Sequence, residues 1–227
     1  MLLQIPDLLT TDEIARARQL LSQADWADGR LTAGMQAAHV KNNKQLPEDA
    51  AQLPELRHLV LAALNRSPLF FAAALPLRIL PPFFNRYGDD ANFYGAHVDG
   101  AMRLHSNGSY VRADVSATLF LSEPDEYEGG ELLVEDTFGS QRVKLPAGHL
   151  VVYPSTSVHQ VTPVTHGVRL ASFMFIQSMV RDAQQRRMLF DMDMALLQLR
   201  QSVGETDKAV VSLTGTYHNL LRLWAES

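Results

Sequence analysis

The chain has 227 residues, 46% of them hydrophobic, which suits one large core with a helical appendage better than two independent domains. A net charge of −5 and a pI near 5.9 give no electrostatic reason to expect nucleic acid or an anionic membrane as a partner. Cysteine is absent, so disulfides, iron–sulfur clusters and thiolate zinc sites are excluded, and any metal must sit on histidine and carboxylate.

The opening Met1-Leu2-Leu3-Gln4-Ile5-Pro6-Asp7 lacks a basic stretch and a sustained apolar run, so no signal peptide is expected. No apolar run approaches membrane-spanning length, and the lack of cysteine fits a reducing compartment; the expected location is cytoplasmic. Thr10-Thr11-Asp12-Glu13 reads as a capping box, with Thr10 as N-cap and Glu13 reaching back to it. Ile14, Ala17, Leu20 and Leu21 then recur at helical spacing. Asp28-Gly29, between Trp26 and Leu31, predicts a hairpin turn. Lys41-Asn42-Asn43-Lys44 reads either as a solvated loop or as a lid over a site. A second helical pattern covers residues 52–64, with Leu56, Val60 and Leu64 on one face, and Pro76, Pro81 and Pro82 then announce a change of structure.

From about residue 77 to 178 the character is β. Ala113 to Leu121 alternates at period two, and further strands are expected at Glu131 to Glu135, Gln141 to Leu145, His149 to Tyr153 and Val168 to Ile176. Glu128-Gly129-Gly130, Phe138-Gly139-Ser140 and Pro146-Ala147-Gly148 supply turns between them. Short strands with frequent turns predict a sandwich or jelly roll. Helical patterns return over residues 181–201 and 206–225. In the first, Met188, Leu189, Met192, Leu196 and Leu199 form either a core stripe or a substrate groove. In the second, Leu213, Leu220, Leu221, Leu223 and Trp224 exceed what one helix usually buries, which leaves room for a homo-oligomer through the C-terminal helices. The expected fold class is α+β with a mainly β core. One domain spans 1–178, with its β core at about 77–178 and N-terminal helices at 10–75, and a helical extension follows at 179–227.

The chemistry concentrates in four residues. His97 and Asp99 sit two apart, so in an extended segment both point to one face; otherwise Asp99 opens a turn with Gly100. His159 follows about 60 residues later, at a strand end, with His166 as a rival on composition alone. The hairpin between them favours His159, because the returning strand would carry Arg169 back beside it. Two imidazoles and one carboxylate occupy one face of an octahedral ion and leave positions open. Arg169 shares a strand face with Ala171, Phe173 and Phe175, so it is either at the rim with a solvated head or buried with an acidic partner, a bound dicarboxylate or a protein group such as Asp114.

Taken in order, Tyr87-Gly88, Tyr94, His97-Val98-Asp99, Glu128-Gly129-Gly130-Glu131-Leu132, His159 and Arg169 resemble the Fe(II)- and 2-oxoglutarate-dependent dioxygenases of the prolyl/lysyl hydroxylase class. The likeness is closest to the bacterial PKHD-type (PiuC-like) hydroxylases. It extends to Trp26-Ala27-Asp28-Gly29-Arg30, Val40-Lys41-Asn42-Asn43 and the tail from Gln177-Ser178, which is nearly the whole chain. This resemblance implies a double-stranded β-helix (jelly roll), iron on His97, Asp99 and His159, and a 2-oxoglutarate carboxylate gripped by Arg169 with help from Tyr87. It also implies hydroxylation of a peptide, amino-acid-like or siderophore-related substrate by O2, with 2-oxoglutarate decarboxylated to succinate and CO2 and ascorbate as the reductant. Tyr94 is read as a wall residue; Ser116 and Thr118 either line the cosubstrate pocket or face solvent. Two other readings compete: an iron- or 2-oxoglutarate-binding sensor on the same scaffold, and a zinc hydrolase with Glu128 or Glu131 as base.

Overall fold

The computed structural model describes residues 1–32, 34–104, 108–137 and 139–226. Phe138, expected in the turn with Gly139 and Ser140, lies outside them.

Two antiparallel sheets organise the described residues. The larger runs in the order Leu3–Ile5, Leu150–Pro154, Val115–Phe120, Arg169–Ser178, Phe83–Tyr87, Lys44–Gln45 and Ala27–Asp28, and Pro76–Ile79 pairs with the far end of Arg169–Ser178. The smaller runs Gly139–Val143, Leu132–Asp136, His159–Val161, Phe93–His97 and Lys41–Asn42. Tyr127–Gly129 pairs with Val164–Gly167, and Met102–Leu104 with Tyr110–Arg112. This is the expected jelly roll, α+β with a mainly β core.

All six residues of Val115–Phe120 are buried, because the larger sheet is covered on both sides. Val115, Ala117 and Leu119 face outward into a core built with Leu20, Leu21, Leu56, Val60 and Leu64 of the N-terminal helices. Leu56, Leu64 and Leu119 are each fully buried there, and such side chains contribute about 1.5–3 kcal/mol apiece. Ser116 and Thr118 point the other way, between the sheets, and are buried too. The solvent-facing reading of these two residues is therefore corrected. The alternation is real, but its polar side lines a cavity.

The helix Thr11–Ser22 begins as the sequence predicts: Glu13 N donates to Thr10 Oγ1 at 3.3 Å, and Thr10 N donates to Glu13 Oε2 at 2.8 Å. The hairpin expected at Asp28-Gly29 is absent. Arg30 N donates to the Asp28 carboxylate at 2.9 Å and the chain turns into a 3-10 helix, Gly29–Thr32. Asp28 instead sits opposite Lys44 in a strand pair formed across the intervening segment. The region 10–75 thus contributes three short strands besides its helices, and Lys41-Asn42-Asn43-Lys44 is neither a solvated loop nor a lid. Lys41 and Asn43 are buried, and the run passes from the smaller sheet into the larger.

The C-terminal helices Ala183–Val203 and Lys208–Trp224 are N-capped by Asp182 and Asp207. Leu189 and Leu196 pack with Leu75, Val180 and Tyr217, which settles the apolar stripe as core; Met188 is exposed. Leu220, Leu221 and Trp224 lean on the same cluster, whereas Leu213 and Leu223 are exposed.

Gly167 has φ +74°, and a Cβ there would stand 2.0 Å from Glu126 O. Left-handed backbone and backbone contact together leave no room for a side chain. Gly167→Ala is expected to lower stability by about 2 kcal/mol or more, read as a reduced urea midpoint. An unchanged midpoint would contradict this close approach of Gly167 to the Glu126 backbone.

Candidate active site

His97 ends the strand Phe93–His97, and His159 begins His159–Val161; the two are register partners on neighbouring strands, with ring centroids 4.3 Å apart. Asp99 lies two residues beyond its strand, yet its Oδ2 comes within 3.6 Å of His159 Nε2. One donor atom from each of His97, Asp99 and His159 falls within 4.8 Å of the others. His166 is exposed and takes no part.

The tautomers follow from the backbone. His97 Nδ1 donates to Gly95 O at 2.8 Å and His159 Nδ1 donates to Ser157 O at 3.1 Å. Each ring therefore keeps its Nε2 lone pair free for a metal. Tyr94 stacks on His97 at 3.6 Å between centroids, and Tyr153 meets His159 edge-on at 5.1 Å. Ser116 Oγ donates to Asp99 Oδ2 at 2.6 Å and lies 2.7 Å from Ser155 Oγ. Burial, reinforced by the neighbouring His159, pushes the His97 pKa down to about 4.

That shift has a sign. The unfolded chain takes up the His97 proton near 6.5 and the folded chain only near 4, so stability of the metal-free protein is lost as the pH falls between those values. Denaturant midpoints of chelator-treated protein should drop from about pH 7 to about pH 5, and drop less in His97→Gln. Equal slopes in the two proteins would contradict the assignment.

A cavity of about 540 Å³ opens between the sheets and contains the triad together with Tyr87, Ser116, Thr118 and Arg169. Contrary to the sequence expectation, no hairpin carries Arg169 back beside His159. Val164–Gly167 pairs with Tyr127–Gly129, and beyond Gly167 the chain enters the larger sheet, where Arg169 sits opposite Tyr87. Arg169 and His159 thus meet in the cavity from different sheets rather than along one hairpin.

Arg169 is 1% exposed, and its Nε and Nη2 have no hydrogen-bond partner among the described residues. Its guanidinium carbon lies 5.2 Å from the Tyr87 ring centre and 5.0 Å from that of Phe120. Asp114, the protein carboxylate considered as its partner, is engaged elsewhere, 2.7 Å from Arg112 Nε and accepting from Ser178 N at 2.9 Å. An unpaired buried guanidinium costs on the order of several kcal/mol, so the donor set fits an incoming carboxylate. The Tyr87 hydroxyl accepts from Asn85 Nδ2 at 3.3 Å. Glu128 and Glu131, the bases a zinc hydrolase would want, do not line the cavity; Glu131 pairs with Arg142 at 2.6 Å.

Sequence reasoning missed Ser155, Lys41 and Arg103, all close to the triad or lining its cavity. In the sequence Lys41 stands out only within a run that reads as a solvated loop or a lid, and nothing local marks Arg103.

Residues 82–177 match the 2OG-Fe(II) oxygenase superfamily, and residues 182–226 match the PKHD-type hydroxylase C-terminal domain. The chain is 69% identical over 227 residues to a PKHD-type hydroxylase of Azoarcus sp. (strain BH72), covering 100% of both chains. It is 67% identical over 228 residues to a PKHD-type hydroxylase of Nitrosomonas eutropha (strain DSM 101675 / C91 / Nm57), again covering 100% of both. Among solved structures it is similar to a prolyl hydroxylase from Trichoplax adhaerens in complex with a hypoxia inducible factor peptide fragment, at 14% identity and TM-score 0.57, covering 83% of this chain and 86% of that one. It is also similar to a Pseudomonas putida prolyl-4-hydroxylase, at 23% identity and TM-score 0.52, covering 78% and 92%. At such identities the likeness to these structures is one of fold. No helix among the described residues is long and apolar enough to cross a membrane.

Proposed function

This chain belongs to the PKHD-type hydroxylases of the 2OG-Fe(II) oxygenase superfamily, and from that membership we propose that it hydroxylates a small molecule or peptide at an Fe(II) site on His97, Asp99 and His159. The observation that carries the reading is the buried Arg169, without a protein carboxylate, in the same cavity as three clustered ligand atoms. A structural metal site would have no use for that arginine. A simple anion site would have no use for the triad.

Bound Fe(II) and 2-oxoglutarate would together supply O2 activation, with 2-oxoglutarate giving succinate and CO2. The chain's part is positional. Arg169 would hold a carboxylate of 2-oxoglutarate through its free guanidinium donors, with Tyr87 beside it on the neighbouring strand. Ser116, itself against Ser155, fixes one Asp99 oxygen so that the carboxylate is aimed before a metal arrives. The backbone carbonyls of Gly95 and Ser157 lock the imidazole tautomers, while Tyr94 and Tyr153 restrict ring rotation. Ascorbate as reductant and a cytosolic setting complete the proposal, the latter supported by the cysteine-free composition. Exposed Leu213 and Leu223 support a homo-oligomer through the C-terminal helices. The unit boundary near 178 is part of the same proposal, supported by the run of helix that follows.

The test is anaerobic titration of metal-free protein with Fe(II) and 2-oxoglutarate, followed by O2. A weak visible charge-transfer band and then succinate are expected. The band without succinate, in every reductant and substrate mixture tried, would favour the sensor reading. No band in folded, iron-loaded protein would overturn the assignment of the cosubstrate.

A further inference from the structure

One buried polar group near Arg169 has no part in the proposed function. Tyr127 is 3% exposed, and its hydroxyl makes no hydrogen bond among the described residues. The residue does not line the cavity, and neither the metal triad nor the cosubstrate touches it on the reading above. A phenylalanine would fill the same space without an unsatisfied hydroxyl, which is costly to bury.

The local structure holds this ring firmly in place. Tyr127 is the register partner of Gly167, two residues before Arg169. A Cβ on Gly130 would stand 2.9 Å from Tyr127 Cε2 and 3.0 Å from its Cδ2, so the glycine there leaves the ring its room. Lys144 Nζ lies 4.1 Å from the ring centre and donates to Tyr127 O at 2.7 Å. The ring packs in one apolar cluster with Tyr87 and Phe120, the same two rings that flank the Arg169 guanidinium. Burial raises the Tyr127 pKa, and Arg169 is the largest influence opposing it, through charge and contact alike. An orphaned phenol thus stands beside a guanidinium whose Nε and Nη2 are orphaned too. The rings of Tyr87 and Phe120, at 5.2 and 5.0 Å, favour a cation between them without fixing which way its fork points. A phenol oxygen at one corner would fix it, because it accepts one N–H and leaves the rest of the fork to a carboxylate.

We propose that Tyr127 is a positioning residue for the cosubstrate anchor: its hydroxyl oxygen accepts an Arg169 N–H and so aims the guanidinium at a carboxylate of 2-oxoglutarate. This rests on the Fe(II)/2-oxoglutarate reading and adds to it the residue that orients its arginine. The hydroxyl acts from behind the cavity wall, so its effect passes entirely through Arg169.

The experiment titrates the whole chain, loaded anaerobically with Fe(II), with 2-oxoglutarate and with 2-oxopentanoate, which carries a methyl group in place of the second carboxylate. Half-saturation is read from the charge-transfer band in the unmodified chain, Tyr127→Phe, Arg169→Met and the double variant, each checked for folding by circular dichroism. Tyr127→Phe should raise half-saturation for 2-oxoglutarate about fivefold and leave that for 2-oxopentanoate unchanged. In the Arg169→Met background the same substitution should add nothing further. The melting temperature of cosubstrate-free Tyr127→Phe should not fall, since the change removes an unsatisfied hydroxyl. Equal shifts for the two acids, or a shift that persists without Arg169, overturns the proposal. So does a lowered melting temperature with 2-oxoglutarate binding intact, the mark of a hydroxyl that only supports the fold. If Tyr127→Phe alone titrates like the unmodified chain, the anchor stands and this inference falls. If Arg169→Met does so as well, or the unmodified chain shows no band, the Fe(II)/2-oxoglutarate reading fails and takes this one with it.

Discussion

Arg169→Met is expected to raise the 2-oxoglutarate concentration needed for half-saturation by about a hundredfold or more, since each hydrogen bond to a charged group contributes about 1.5–3 kcal/mol and the contact is two-pronged. The same substitution should leave the cosubstrate-free protein as stable as before, or more so. In that state the guanidinium is buried, 1% exposed, and its Nε and Nη2 are unsatisfied, so methionine removes a cost while keeping apolar volume beside Tyr87 and Phe120. These paired signs separate two roles. A structural arginine would show lost stability with cosubstrate affinity intact, whereas an anchor shows the reverse. Thermal shifts with and without 2-oxoglutarate, alongside the saturation curve, read both at once. An unchanged half-saturation would remove Arg169 as the anchor.

Asp99→Ala is expected to abolish Fe(II)-dependent succinate formation while the fold survives. The residue lies just beyond the strand Phe93–His97, and its contacts are Ser116, His159 and Arg103 rather than the main apolar clusters. Removing an outer partner of a metal ligand usually costs about 10–100-fold, and removing the ligand itself should cost more. Ser116→Ala supplies that comparison: Fe(II) affinity should fall within the smaller range, because the Asp99 carboxylate survives without its orienting hydroxyl. Succinate formed by Asp99→Ala at the unmodified rate would sink the triad.

The chemistry was more legible in the sequence than the path of the chain. His97, Asp99, His159 and Arg169 stand out because histidine and arginine among apolar, alternating residues demand a partner, and the cavity does gather all four. The capping box at Thr10 was equally legible, since it depends only on residues three apart. What local pattern misled was pairing. Asp28-Gly29 has the composition of a hairpin, but the Asp28 carboxylate captured Arg30 and turned the chain into a 3-10 helix. The segment after His159 looked like a simple return, yet the chain changes sheets after Gly167. Ser116 and Thr118 looked half-exposed because period two tells which side a residue takes and not what covers that side. Lys41 and Arg103 stayed hidden for a related reason: a lone cation in a polar run is ordinary until a second one shares its cavity.

The short run around Asn43 has a further consequence for anyone trimming the chain. Lys41–Asn42 pairs with Phe93–His97, and Lys44–Gln45 pairs with Phe83–Tyr87, so one stretch finishes an edge of the smaller sheet and extends the larger. A fragment confined to residues 82–177 would keep every proposed ligand and still strip both of those strands of a neighbour. Each would then present a bare row of amide and carbonyl groups, the surface on which strands of separate molecules add to one another. Such a fragment should therefore self-associate, and the residues upstream of it act as a guard against aggregation as well as a wall of the cavity.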